Sequence, residues 1–330
     1  MAELNNFPQN VPPPQSVSPA QSATHCTLSV SLVIHTLDAD ELTQTLQSLQ
    51  QAIDQARRAA VLGAVSVYLV DNSEHSTLQA PLTEHGQALL PQVDLHVLSG
   101  HGNLGFGRAH NLALTALSAE TAVSAKTALS AETTLSAKTA LSEEAAVSPD
   151  PHALHLILNP DVFLQPDALA HGIRWLQTDP ATIAVAPAIV DGNGQPTSSC
   201  KRYPSVLDFL LRGFAPQAIK RRFRRRLAHY EMAELPADRP SRDIPIISGC
   251  FMLFRRAPLL QLQGFDAGYF LYFEDFDLAL RAHRFGSLTY LPQMRITHLG
   301  GNSARKGWWH IRVFMRSAVR FFNTHGWRWT

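Results

Sequence analysis

Residues 155–162 read HLILNPDV, a short apolar run cut off by Asn159-Pro160-Asp161. A run of this length closed by a proline, which cannot donate to a ladder, predicts a buried strand ending at that point. Its end delivers Asn159 and Asp161 out of the sheet. The same pattern recurs toward the N-terminus. Leu28–Thr36 (LSVSLVIHT) reads as a buried strand, and Val65–Val70 as a second that ends on Asp71-Asn72. Leu95–Leu98 runs into a glycine-rich loop, with a helix from about Gly107. After the first strand Asp38 is placed to cap a helix, with Glu41 three residues on completing a capping box. Leu42, Leu46, Leu49 and Ile53 then form one apolar stripe. Strands alternating with helices predict an α/β chain with a Rossmann-like, doubly wound, mostly parallel sheet. In such sheets ligands gather at the carboxyl ends of the strands.

Downstream, Leu169, Ile173 and Leu176 mark a helix after Pro166, and Ile183–Ile189 a further strand. Asp191-Gly192-Asn193-Gly194 is a turn signal. Ile244–Phe254 reads as one strand, Leu288–Leu291 as another, and Phe273–Phe285 as a helix opening on carboxylates. One segment breaks the pattern. Thr115–Asp150 divides into the hexads TALSAE, TAVSAK, TALSAE, TTLSAK, TALSEE and AAVSPD. A sixfold repeat rotates a helix by roughly 240° each time, so its Leu and Val positions never make a stripe. This insert is expected as a solvated helical extension or a disordered stretch, without a catalytic role. Residues 1–27, rich in Pro, Gln, Ser and Asn, are expected to be a disordered leader.

The 330 residues carry 45% hydrophobic and 17% charged side chains, with a net charge of +1. That balance suits a globular core and gives no global pull toward nucleic acid, so no nucleic-acid partner is expected. Three scattered cysteines, Cys26, Cys200 and Cys250, form neither a disulfide framework nor a zinc motif and point to a reducing cytoplasm. No apolar run of about 18 residues occurs, so no spanning helix is expected. The first residues show no secretory signal.

Four strand ends therefore gather candidate binding groups: Thr36, Asp71, the loop Gly100–Gly107 and Asn159–Asp161. Asp71 has the chemistry to accept hydrogen bonds from a base or ribose, or to cap a turn. The loop holds Asn103 and Gly105 and leads into Arg108 and Asn111, a backbone able to approach an anion. Asp161 suits a divalent cation set against a diphosphate. Glu274-Asp275-Phe276-Asp277 puts three carboxylates into four residues and lies among Tyr269, Phe270, Tyr272 and Phe273. Such surroundings raise proton affinity and suit general-base work. His298 precedes Gly300-Gly301, with Arg305 beyond.

In this order the residues resemble the family 2 glycosyltransferases of GT-A fold, most of all rhamnosyltransferase-like bacterial members. The pieces are VDNSE at 70–74, GNLGFGRAHN at 102–111, LNPDV at 158–162, GFDAGYFLYFEDFDLALRAHRFG at 264–286 and HLGGNS at 298–303. KRYPS at 201–205 is a weaker sixth. The resemblance implies a nucleotide-sugar-binding half at 28–114 and a metal, acceptor and catalytic half at 151–305, a smaller acceptor-side region included. It implies Asp275 as catalytic base and Glu274 as its neighbour positioning the acceptor. Thr36, Asp71, Asn103, Gly105, Arg108, Asn111 and Asn159 would line the donor. Asp161 and His298 would hold Mg²⁺ or Mn²⁺, since Asn159 stands where a first carboxylate often does. Arg202, Asp277 and Arg305 would be acceptor or anion contacts. The implied reaction is inverting transfer, with rhamnose from dTDP-rhamnose the first expectation, onto a cell-surface polysaccharide such as lipopolysaccharide, or a lipid-linked acceptor. A nucleotidyltransferase would want a lysine-bearing phosphate loop that His35-Thr36-Leu37 does not offer. A non-catalytic sugar- or nucleotide-binding protein would not need Asp161, Asp275 and His298 together.

Lys220–Arg226 holds six cations in seven residues, and 306–330 mixes tryptophans and phenylalanines with arginines. Both suit peripheral attachment to the inner face of the cytoplasmic membrane.

Overall fold

The structure, a computed structural model, describes residues 26–132, 150, 152–300 and 307–330. Its first half alternates β1 (Cys26–Ile34), α1 (Ala39–Arg58), β2 (Leu62–Asp71), α2 (Gln79–Leu89), β3 (Asp94–Leu98), α3 (Phe106–Glu132) and β4 (Leu154–Leu158). The four strands lie parallel in the order β3-β2-β1-β4. β-Branched and leucine residues fill them, as expected where helices cover both faces. Along β1, Leu28, Val30 and Leu32 join the core beneath α1, while Val33 packs with Ala109, Ala113 and Leu117 of α3. Asp38 caps α1 by accepting from the Asp40 and Glu41 amides, and Leu42, Leu46, Leu49 and Ile53 are all buried.

The second half adds β5 (Val162–Leu164), α4 (Ala168–Thr178), β6 (Thr182–Val190), β7 (Pro196–Thr197), β8 (Cys200–Lys201), α5 (Val206–Phe214), α6 (Gln217–Arg222) and α7 (Arg224–Tyr230). Then come β9 (Ile246–Ile247), β10 (Phe251–Arg255), α8 (Arg256–Gln261), α9 (Glu274–Ala282), β11 (Ser287–His298) and α10 (Trp308–His325). The sheet continues β4-β10-β6-β11-β5, with β10 antiparallel to both neighbours and β6 parallel to β11. A two-residue ladder, β8 with β9, sits beside it.

Two local expectations are corrected, and a third is resolved between its alternatives. The single strand expected over 244–254 is two, because the chain turns at Ser248-Gly249-Cys250 between β9 and β10. The strand expected to stop at Leu291 runs on to His298: Pro292 interrupts the ladder, which shifts register and resumes at Arg295. The first three hexads, to Glu132, extend α3 as a helix. Residues 133–149 of the insert, residues 1–25 of the leader and Arg305 lie outside the described residues.

Candidate active site

The end of β4 is held from three sides. The Thr45 hydroxyl of α1 donates to the Pro160 carbonyl at 2.6 Å, and the Leu299 amide donates to the Asp161 carbonyl. Antiparallel pairing sets Val162 opposite His298, so the histidine lands beside Asp161, with Nε2 3.3 Å from Oδ2. Burial opposes a charge on His298, but its hydrogen bonds to Asp161 and Cys250 push its pKa up to about 10. Burial likewise works against the Asp161 carboxylate, and the histidine holds it below its ordinary range. The other oxygen of Asp161 and Oδ1 of Asn159 are buried with no partner among the described residues. Two orphaned oxygens fit a hard divalent cation, which usually takes one or two protein carboxylates and completes its shell with phosphate and water; His298 would join them only as neutral imidazole, after giving up the proton it shares with Asp161. No cluster of three or more His, Cys, Asp or Glu suited to a metal occurs among the described residues.

The catalytic-base candidate is tied to this corner through the backbone. The Asn159 amide donates to the Cys250 carbonyl at 2.9 Å. One residue earlier, the Gly249 amide donates to Asp275 Oδ2 at 2.9 Å, and the Phe276 amide donates to Oδ1 at 3.0 Å. A Cβ on Gly249 would stand 3.0 Å from that of Asp275, so the approach is close. Glu274 is buried, with Oε2 unpartnered among the described residues. Burial first, then the neighbouring Asp275 charge, raises the Glu274 pKa well above the carboxylate range. Burial raises Asp275 as well, offset by the Lys201 charge and the two amides.

Lys201 was not singled out by its sequence. It is buried over the Phe276 ring, 5.6 Å from the centroid, and desolvation lowers its pKa. The KRYPS stretch flags two adjacent cations, and only the β8–β9 ladder decides that Lys201 turns inward. Arg202, expected as an anion contact, is instead occupied by Glu234 and the His229 carbonyl.

Several donor-side expectations resolve into loop architecture. Asn72 and Asn103 clasp each other: Asn72 Nδ2 donates to Asn103 Oδ1, which also accepts from the Gly105 amide, and Asn72 Oδ1 accepts from the Leu104 amide. Gly105 has φ +82°, and a Cβ there would meet the Phe270 carbonyl oxygen at 2.1 Å. The Phe106 amide donates to that same oxygen, joining the glycine-rich loop to the acidic segment. Asp71 is fully buried and accepts from the Ser73 amide and hydroxyl and the Leu78 amide. Its carboxylate braces the turn that follows β2. Asn111 is likewise committed, exchanging two hydrogen bonds with the Phe265 backbone. Arg108 donates to the Ala267 carbonyl at 2.6 Å. Thr36 is exposed just past β1. Asp277, expected at the acceptor, is 1% exposed and bound by Arg281 at 2.7 Å and His325 at 2.8 Å. Its position on the inner face of α9 makes it a structural anion.

No protein-family model matches the chain. Rhamnosyltransferase WbbL of Escherichia coli K12 is 25% identical over 174 residues, covering 50% of this chain and 61% of that protein. N-acetylglucosaminyl-diphospho-decaprenol L-rhamnosyltransferase of Mycobacterium tuberculosis is 32% identical over 191 residues, 53% of this chain and 59% of that protein. The chain thus spans about three fifths of the length of the curated relatives it matches. Among solved structures, the mannosyltransferase PcManGT from Pyrobaculum calidifontis in complex with GDP-Man and Mn²⁺ superposes with a TM-score of 0.53 at 16% identity. The superposition covers 91% of this chain and 64% of that one. This chain therefore has a GT-A type fold and is a sequence relative of bacterial rhamnosyltransferases.

Proposed function

We propose that the chain is an inverting glycosyltransferase that moves a sugar from a nucleotide-sugar donor to a hydroxyl of a carbohydrate acceptor. One observation carries the reading. A continuous backbone path, Asp161–Asn159–Cys250–Gly249–Asp275, sets a candidate base and a candidate diphosphate-and-metal corner against each other at the carboxyl end of β4.

In the reaction, Asp275 accepts the proton of the acceptor hydroxyl as that oxygen attacks the anomeric carbon. The carbon–oxygen bond to the nucleoside diphosphate breaks, and the single displacement inverts the centre. Two backbone amides orient the Asp275 carboxylate, while burial keeps its proton affinity high enough for general-base work. Glu274 shares that buried corner and positions the acceptor. Asn103 and Gly105 shape the donor loop. Asp161, with Asn159 and His298, would hold Mg²⁺ or Mn²⁺. Such an ion, when bound, acts as a Lewis acid on the departing diphosphate.

The relatives' names favour rhamnose as the sugar, with dTDP-rhamnose the first donor, and a lipid-diphosphate-linked saccharide as acceptor. From such an acceptor we infer a location at the inner face of the cytoplasmic membrane; no helix among the described residues is long and apolar enough to cross one. The test incubates purified protein with dTDP-rhamnose, UDP-sugars or GDP-sugars, with and without Mn²⁺, and reads released nucleoside diphosphate. Metal-stimulated release from dTDP-rhamnose is the expected result. No release from any nucleotide sugar overturns the reading.

A further inference from the structure

Helix α10 grips the segment that carries the proposed catalytic pair along its whole length. Arg320 pairs with Asp266 at 2.7 Å, and Trp309 packs edge-on against Phe270. The Ser317 hydroxyl donates to the Leu271 carbonyl at 2.8 Å. His310 Nδ1 lies 3.1 Å from the Tyr272 hydroxyl, Phe314 packs on Phe273, and His325 Nε2 lies 2.8 Å from Asp277 Oδ1. The segment needs such a grip. Tyr272 and Phe273, immediately before Glu274, both sit in the left-handed region at φ +70° and +67°. Two successive bulky residues hold that backbone only when their surroundings over-determine it.

The opposite face of α10 is unpartnered among the described residues. Trp308, Ile311, Met315 and Val319 are exposed, Trp308 at 86% and Met315 at 51%, and Arg312 and Arg316 lie among them. Their spacing of three or four residues puts them on one side of the helix. No Asp or Glu occurs anywhere in 308–325. A second copy of so cationic a face would meet like charge, whereas tryptophan and arginine on one surface match an anionic lipid interface. A neighbouring surface continues the pattern. α5 packs on α10 through Phe209 against Phe314 and Phe322. The chain after α5 exposes Ile219 and Phe223 with Arg221, Arg222, Arg224 and Arg225. Arg226 of the same run is taken up by Asp208.

We propose that the outer face of α10 docks on an anionic bilayer and that docking, passed through the inner face, steadies the Glu274–Asp275 segment. The helix, about 10–12 Å across with its side chains, is all that separates the two. Only the naming of Glu274 and Asp275 as the catalytic pair rests on the transfer reading; the docking itself does not.

The experiment uses the full chain with vesicles of phosphatidylcholine alone or mixed with phosphatidylglycerol. It reads co-sedimentation together with amide hydrogen exchange over 264–277. The wild type is expected to sediment with the anionic vesicles, to be released by high salt, and to exchange more slowly over 264–277 when bound. Met315→Glu combined with Val319→Glu is expected to lower partitioning on the order of tenfold and to remove the vesicle-dependent slowing. Nucleotide-sugar turnover without vesicles and the melting temperature stay unchanged in that variant. The proposal is overturned if the wild type ignores anionic vesicles, if the double variant sediments like the wild type, or if 264–277 exchanges equally free and bound. A chain that docks and slows as expected but releases no nucleoside diphosphate leaves the docking standing and overturns the transfer reading alone.

Discussion

Lowering the pH is expected to unfold this protein through two histidines that the proposed chemistry does not use. His110 of α3 and His155 of β4 are fully buried and share the Ser31 hydroxyl, at 2.7 and 2.9 Å, while Ser29 holds the other nitrogen of His155. Burial lowers the His110 pKa to about 3 and takes His155 well below its ordinary value. In the unfolded chain each returns to about 6.5. Below that value the unfolded state binds protons that the native state refuses, so stability present at neutral pH is lost as the pH falls. At about pH 5 the loss through His110 is about 2 kcal/mol, and His155 adds to it in the same direction. Against a typical total of about 5–15 kcal/mol this is a large share. Urea unfolding followed by tryptophan fluorescence at neutral pH and at about pH 5 measures it. His110→Leu removes one titrating group, so its pH-dependent loss should be smaller than that of the wild type by about 2 kcal/mol, whatever the leucine does to absolute stability. An identical pH dependence in the two proteins would refute the reasoning.

Other expectations concern residues that the structure reassigns or brings together. Asp277→Ala strands the Arg281 guanidinium and leaves the His325 ring without its carboxylate partner, and should destabilise by about 3–5 kcal/mol in thermal unfolding; a raised acceptor KM with unchanged melting would instead restore the acceptor role. Gly105→Ala forces a left-handed alanine against the Phe270 carbonyl and should destabilise by about 2–4 kcal/mol. It should also weaken donor binding by calorimetry, and an unperturbed variant would show that the contact is slack. Asp161→Ala removes the carboxylate from the proposed metal corner and should weaken Mn²⁺ binding, followed by electron paramagnetic resonance, by more than about tenfold.

How much of this was legible in the sequence depends on whether a residue's partner is local. The strands and α1 were readable because periodicity, caps and turn residues act within one element. Leu42, Leu46, Leu49 and Ile53 are buried as their spacing requires. Asn159 and Asp161 were readable as a strand end because Pro160 marks it. Asp71 was legible as polar and strand-terminal, but not as a turn brace: its partners Ser73 and Leu78 are set by how the loop folds back. Asp277 looked like a third acid of a reactive cluster, yet α9 turns it toward Arg281 one turn away and toward His325, 48 residues on. Lys201 depended on a two-residue ladder, too short for any pattern to mark. The grip of α10 on 266–277 joins residues about 50 positions apart in sequence, and only packing reveals it.

The central claim, inverting transfer with Asp275 as the base, is tested most directly by Asp275→Asn. The assay pairs sugar transfer to a saccharide acceptor, with product anomer read by NMR, and donor affinity by calorimetry. The wild type is expected to give an inverted linkage. In the variant, transfer is expected to fall on the order of a hundredfold to ten-thousandfold, with donor affinity unchanged within about twofold. Transfer near the wild-type rate by Asp275→Asn, or retention at the anomeric carbon, would contradict that claim.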